Sequence, residues 1–392
     1  MSSIRNLLIK NVRLLSRNDS VDIRIKDGKL TTIDRGLESA GKTLNGGGRL
    51  VVPGLIDLHI HGAGGTDLIS ANRQEMDNMT ATLARLGTTG FLAAAVYNPH
   101  HHEFISDLFS CLSFQGADLL GLYLEGPFIN RDKRGGIPES YIKAPSLSLL
   151  QNIRAQSHKN LKIMTVAPEV QGIERIIDFL RQHGIIAALG HSNADYETAK
   201  HAYKNGVSHI THSFNAMAGL HHREPGPVVA AVEHPHVYAE VICDGVHIHP
   251  AIVNMLYKLF GTERIVCITD GIEGMGLPDG TWMYDGREYI SKDGIARYPD
   301  GTLIGTTQSL LQLALNFKRC SGCHLQQAFD TVTLNPARVL GIDNRKGSVS
   351  VGKDADLLLL DADFSVYATV INGNIVYQKE DPRKKTFIAH ND

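Results

Sequence analysis

Two histidines one residue apart, His59 and His61, stand at the end of the apolar run VVPGLIDLHIH. Residues i and i+2 of a strand share a face, so both imidazoles project the same way, and in a barrel that face can be the interior. Either one alone reads equally well as a hydrogen-bonded core histidine. Similar apolar runs end in Glu125 (LLGLYLEGP), His191 (IIAALGHS), His212 (HITHSFN) and Asp270 (RIVCITDG), while His247 lies just beyond YAEVICDG. Imidazoles and a carboxylate converging on one mouth make a site for a divalent cation. Asp270 alone, before a glycine, is ordinary turn chemistry. Facing such a cation, its carboxylate takes a proton from water and later passes it to a leaving group, general base followed by general acid.

Positioning these groups requires a scaffold that gathers strand ends. Short apolar runs alternate with longer helix-like stretches, the pattern of parallel strands with crossover helices. Eight such runs occur: the five quoted first, together with TTGFLAAA, LKIMTVAPE and YAEVICDG. Several are continuously apolar, as strands buried on both faces must be. Eight β/α units close a TIM-type (β/α)8 barrel, whose catalytic groups sit at the C-terminal strand ends. Before Gly48, and again over KGSVSVGKDADLLLLDAD and VYATVINGNIVYQKE, the texture is period-2 alternation with turn residues, including Asn372-Gly373 as a hairpin turn. The expected fold is therefore α/β: a barrel over residues 51–342, with a small β-sandwich built from both chain ends, 1–50 and 343–392.

The chain of 392 residues is 43% apolar and carries a formal charge of -2, which gives no field that draws it to nucleic acid or to an anionic membrane. No apolar run approaches the roughly 20 residues that cross a bilayer. The start, MSSIRNLLIKNVRLL, has neither a sustained apolar segment nor a cleavage site of small residues, so a cytoplasmic location and a small-molecule partner are expected. The five cysteines (Cys111, Cys243, Cys267, Cys320, Cys323) fit reduced thiols. Cys320-Ser-Gly-Cys323-His324 formally matches a haem-attachment sequence, but it lies between two helical patterns and is read as a solvated turn.

PGLIDLHIHG, YLEGPFIN, ALGHS, THSFNAM, HREPG, CDGVHIHP and CITDG together resemble the N-acetylglucosamine-6-phosphate deacetylase family of the amidohydrolase superfamily, over nearly the whole chain. His-x-His at a strand end is shared by many amidohydrolases. Glu125-Gly-Pro-Phe with His212-Ser-Phe-Asn-Ala-Met and Arg223-Glu-Pro-Gly is far narrower. The resemblance implies that Glu125, His191 and His212 are the main metal ligands, that Asp270 is the catalytic acid and base, and that His59 and His61 can hold a second ion. One or two divalent ions per subunit are implied: zinc first, with Fe, Ni, Mn or Co suited to the same donors. It also implies that Gly136, Asn215, Ala216, Arg223, His247, Leu303, Ile304 and Gly305 bind an amino-sugar phosphate. The family is homodimeric, with the Arg223 loop crossing to the neighbouring subunit.

Ile137 departs from the family, where many members place a polar residue, often His. That leaves N-acetylgalactosamine 6-phosphate as an alternative substrate. GTLIGTTQSL departs from the more usual Ala and Ser around its glycine. Another amidohydrolase, acting on a different amide, is a further alternative; those that use a carboxylated lysine at the end of strand four find none in TVAPE. A non-catalytic scaffold on the same barrel is the rival from another class, but it is expected to have lost ligands that are all present here. His100, His101, His102, His221 and His222 are expected in exposed loops, and His209, Asp244 and His249 as hydrogen-bond partners near the mouth.

Overall fold

In the computed structural model the described residues are 6–39, 41–110, 114–284 and 286–380, so Cys111 lies outside them. The chain divides into two units, Leu55–Gly347 and the pair Met1–Gly54 with Ser348–Asp392.

The larger unit is built on eight parallel strands: β1 (Leu55–Ile60), β2 (Thr88–Val96), β3 (Asp118–Glu125), β4 (Leu161–Val166), β5 (Ile186–Leu189), β6 (Val207–Ile210), β7 (Tyr238–Val241) and β8 (Ile265–Cys267). Each pairs with the next in chain order. The sheet curls until its edges meet. Asp270 N–H donates to the His59 carbonyl at 2.9 Å, and His61 N–H donates to the Gly271 carbonyl at 2.7 Å. All six residues of β1 are buried, which is why this run is apolar on both faces. The eight apolar runs of the sequence all become barrel strands, giving a TIM-type barrel.

A helix follows each strand, and local chemistry ends them cleanly. Helix Arg73–Leu86 begins with a capping box between Asn72 and Glu75 and stops at Gly87, whose φ of 97° suits glycine. After β8 the chain first makes an antiparallel sheet of four strands, Gly280–Tyr284, Arg287–Lys292, Ile295–Arg297 and Leu303–Thr306, packed on Ile272, Tyr289, Ala296 and Tyr298. Helix Leu310–Ser321 comes only then. Thr306 N–H donates to the Asp270 carbonyl at 3.2 Å, tying this insert to the strand end that carries the expected acid and base.

In the smaller unit Thr43–Pro53 lies between Leu7–Leu14 on one side and Leu357–Leu360 on the other, which joins the two chain ends. One small β-sandwich formed by both chain ends was the expectation, and both ends do join. All seven strands instead form one continuous sheet, with a single apolar cluster that includes Ile9, Ile23, Val51, Leu357 and Val370. Alternation reveals which residues face a core but not which strands share a ladder. Asn372 and Gly373 take left-handed φ values of 48° and 78° at the expected hairpin turn. The four described cysteines are free. The turn between Cys320 and His324 links two helices, with His324 capping the second, but Cys323 is buried rather than solvated.

Candidate active site

The barrel interior delivers six polar side chains to one point at the C-terminal strand ends. Glu125 Oε1 lies 3.3 Å from His191 Nε2 and 3.1 Å from His212 Nε2, and those two nitrogens are 3.2 Å apart. Beside them His61 Nε2 is 3.2 Å and His59 Nε2 3.6 Å from Asp270 Oδ1. Glu125 bridges the two groups, with Oε1 3.4 Å from His59 Nε2 and Oε2 3.6 Å from His61 Nε2.

These spacings answer whether the residues fit a metal. Ligand atoms about 2.0–2.2 Å from a tetrahedral ion lie roughly 3.3–3.6 Å from one another; the separations within Glu125–His191–His212 are 3.1–3.3 Å and those from His61 and His59 to Asp270 are 3.2 and 3.6 Å, close to that range. Protein hydrogen bonds leave part of the buried imidazoles unsatisfied: among the described residues, both ring nitrogens of His59 and Nδ1 of His212 have no hydrogen-bond partner. His191 Nδ1, by contrast, lies 2.9 Å from the Lys133 carbonyl, so it carries the proton and Nε2 presents a lone pair to the centre. The donor set fits a divalent cation.

The electrostatics agree. Burial pushes the Glu125 carboxyl up, but the His59 charge and hydrogen bonds from His191 and His212 outweigh it and hold the carboxyl well below the ordinary range. At Asp270 burial likewise raises, and His61 and His59 reverse it, leaving the group ionised. Burial disfavours charge on His59, yet Glu125 and Glu240 raise its pKa well above the ordinary value. Ionised carboxylates are ready ligands for a cation, and protonated imidazoles give up a proton to it on binding. Backbone strain accompanies the arrangement: His191, His212 and Asp270 all have positive φ (47°, 27° and 49°), a conformation that non-glycine residues keep only where the surroundings impose it.

A cleft of about 240 Å³ opens over this centre. Among the residues expected to bind substrate, Gly136, Asn215, Ala216, His247, Leu303 and Ile304 line it. Gly305 does not: a Cβ there would meet the Asp270 carbonyl at 2.5 Å, so the glycine permits the insert's close approach to that strand end. Arg223 is not brought into the cleft of its own chain. It is exposed, on a loop with His221, and its guanidinium lies 2.9 Å from His222 Nε2. Ile137 is buried in the cleft wall with Val96 and Tyr141.

The accessory histidines have definite partners. His209 pairs with Glu240 at 2.9 Å, Asp244 holds the ring of His247, and the His249 ring accepts from the first turn of helix Pro250–Phe260. His102 bonds to Gln156.

Sequence reasoning missed several groups. Tyr284, from the insert, reaches the cleft and sets its hydroxyl 3.3 Å from His61 Nδ1. Glu169 accepts from Asn130, Ser192 and the Asn193 backbone, binding together the loops around His191. Glu240 is buried inside the barrel next to His59 and His209. A lone carboxylate in the otherwise apolar run of β7 was the signal available for it.

A parallel barrel with a carboxylate, four histidines and an aspartate at its strand ends defines the amidohydrolase class, and the Amidohydrolase family profile matches residues 50–376: the chain belongs to that family. The relatives narrow this. The N-acetylglucosamine-6-phosphate deacetylase of Bacillus subtilis is 33% identical over 95% of this chain and 97% of its own. The N-acetylgalactosamine-6-phosphate deacetylase of Escherichia coli O157:H7 is 32% identical over 93% and 97%. The crystal structure of N-acetylglucosamine-6-phosphate deacetylase from Thermotoga maritima superposes with a TM-score of 0.82 at 31% identity, covering 95% of this chain and 100% of that one. Within the amidohydrolases, the narrower family is that of the N-acetylglucosamine-6-phosphate deacetylases.

Proposed function

We propose that this chain hydrolyses N-acetylglucosamine 6-phosphate to glucosamine 6-phosphate and acetate. The observation that carries this is the Glu125–His191–His212 donor set beside Asp270 in a cleft also lined by Asn215, Ala216 and His247, in a chain whose relatives carry that activity in their names. The ion, zinc or another divalent metal of similar preference, supplies a Lewis acid that polarises the amide carbonyl and lowers the pKa of water toward about 7.

The remaining work falls to side chains. Glu125, His191 and His212 hold the first ion, and His59 and His61 can hold a second. Asp270 takes the proton of the attacking water and returns it to the amide nitrogen, so the amine leaves neutral. Asn215 and the backbone near Ala216 orient the sugar, and His247, its Nδ1 fixed by Asp244, presents Nε2 to the substrate. Among the described residues, no lysine or arginine lines the cleft. The cation for the phosphate is Arg223 of a neighbouring subunit in a homodimer. Free thiols and a small phosphorylated substrate support a cytoplasmic setting.

The test is acetate release by protein of known metal content, from N-acetylglucosamine 6-phosphate and N-acetylgalactosamine 6-phosphate side by side. Release from neither sugar refutes the function. A preference for the galacto epimer establishes the second reading, which the apolar Ile137 in the cleft wall and the Escherichia coli relative favour.

A further inference from the structure

Glu240 is a charged side chain with no exposure to solvent, set inside the barrel on β7, and the chemistry above leaves it unused. A carboxylate in such a place is costly to keep ionised unless donors surround it. Donors do. His209 Nε2 lies 2.9 Å from Oε1, His212 N–H donates to Oε2 at 3.1 Å, and the Tyr123 hydroxyl, itself paired with Thr211 at 2.8 Å, faces Oε2 at 3.5 Å. The fourth neighbour is His59, whose Nδ1 is 3.5 Å from Oε2. That contact is electrostatic, longer than a well-formed hydrogen bond, and among the described residues His59 Nδ1 has no hydrogen-bond partner elsewhere.

We propose that Glu240 is the positioning residue for His59: it draws the ring proton to Nδ1, so that Nε2 turns a lone pair toward Glu125 and Asp270. His209 and the His212 backbone fix the carboxylate's orientation, and the fully buried His59 ring packs on Tyr123, 4.4 Å between centroids. A neutral imidazole has one proton for two nitrogens, and a metal-binding nitrogen must be the bare one. His61 has the corresponding arrangement with Tyr284, and His191 with the Lys133 carbonyl. Of the three, only the partner of His59 is a carboxylate. Glu240 thereby strengthens the ion position that His59 and His61 share with Asp270. The inference rests on the metal-centred reading above.

The test is titration of zinc into metal-stripped protein, followed by calorimetry and by metal content after equilibration at fixed free zinc, in the wild type, E240Q, H59Q and the double variant. The expected result is a ten- to hundred-fold weaker affinity for the His59-dependent ion in E240Q, and a change below about threefold when E240Q is added to H59Q, since the two effects are coupled. E240D, which keeps the charge, recovers part of the affinity. An equal loss in both backgrounds marks a packing role and overturns the proposal, as does unchanged affinity in E240Q. Should E240Q fail to fold, H209Q decides: a loss of about threefold or more at the same ion supports the proposal, and none overturns it. If the wild type binds no divalent ion, the metal reading fails first and takes this inference with it.

Discussion

At the level of single residues the site is a set of side chains held where isolated chemistry would not put them. His191, His212 and Asp270 all sit in the left-handed region, and the first two point nitrogens at each other across 3.2 Å. Such crowding is stable when a cation lies between the donors. Asp270 belongs to the outer group, so its role separates experimentally from metal binding by Glu125, His191 and His212. Asp270→Asn keeps the shape and an acceptor oxygen but cannot carry the proton. It is expected to lower kcat by about a hundredfold or more while the ion held by Glu125 remains, read by acetate release and metal content on one sample; undiminished turnover removes Asp270 from the proton path. His59, His61, Glu125, His191, His212 and Asp270 were legible because each ends an apolar run. Glu240 and Tyr284 were not: one lies within a strand and acts through a histidine, and the other comes from a segment with no apolar run at all.

Among the elements, the barrel strands announce themselves because burial on both faces demands continuous apolar sequence, as in β1 and β2. The insert between β8 and helix Leu310–Ser321 is the converse case. Its strands span three to six residues, and Gly280–Tyr284 alternates between exposed and half-buried positions, so its sequence reads as loop. The insert nonetheless supplies part of the cleft wall and covers Glu273, a buried residue whose carboxyl oxygens have no well-formed hydrogen bond among the described residues. Burial pushes the Glu273 carboxyl from 4.5 up to about 8, with the Asp67 carboxylate adding to the rise. The folded protein therefore keeps a proton that the unfolded chain releases near pH 4.5. Stability attributable to this group is full below that pH, falls as the pH rises toward about 8, and is constant above. Glu273→Gln removes the dependence: the variant is expected to match the wild type in Tm near pH 5 and to exceed it near pH 8, by the order of a few kcal/mol in stability. Thermal unfolding across that range decides, and parallel curves for the two proteins refute the protonated state.

For the whole molecule the question is where the positive charge for a phosphate comes from. The chain is nearly neutral, and among the described residues no helix is long and apolar enough to cross a membrane and the cleft lining has two carboxylates without a lysine or arginine. A dianionic sugar phosphate bound there needs a cation from outside that lining, and Arg223 stands exposed on a loop away from it. A second copy of the chain solves the problem if its Arg223 loop crosses over. Arg223→Ala is then expected to raise KM for the phosphorylated sugar about tenfold or more, with little change for an unphosphorylated one. Mixing subunits tests the crossing itself. A dimer of one R223A chain and one D270N chain contains a single site with an intact Asp270 from the first and an intact Arg223 from the second. Random pairing of equal amounts makes half the dimers mixed, so at substrate well below the wild-type KM, where both parents are feeble, activity returns to about a quarter of the wild-type level. If Arg223 serves its own chain instead, every mixed dimer carries one defect per site, and the mixture shows only the average of its parents.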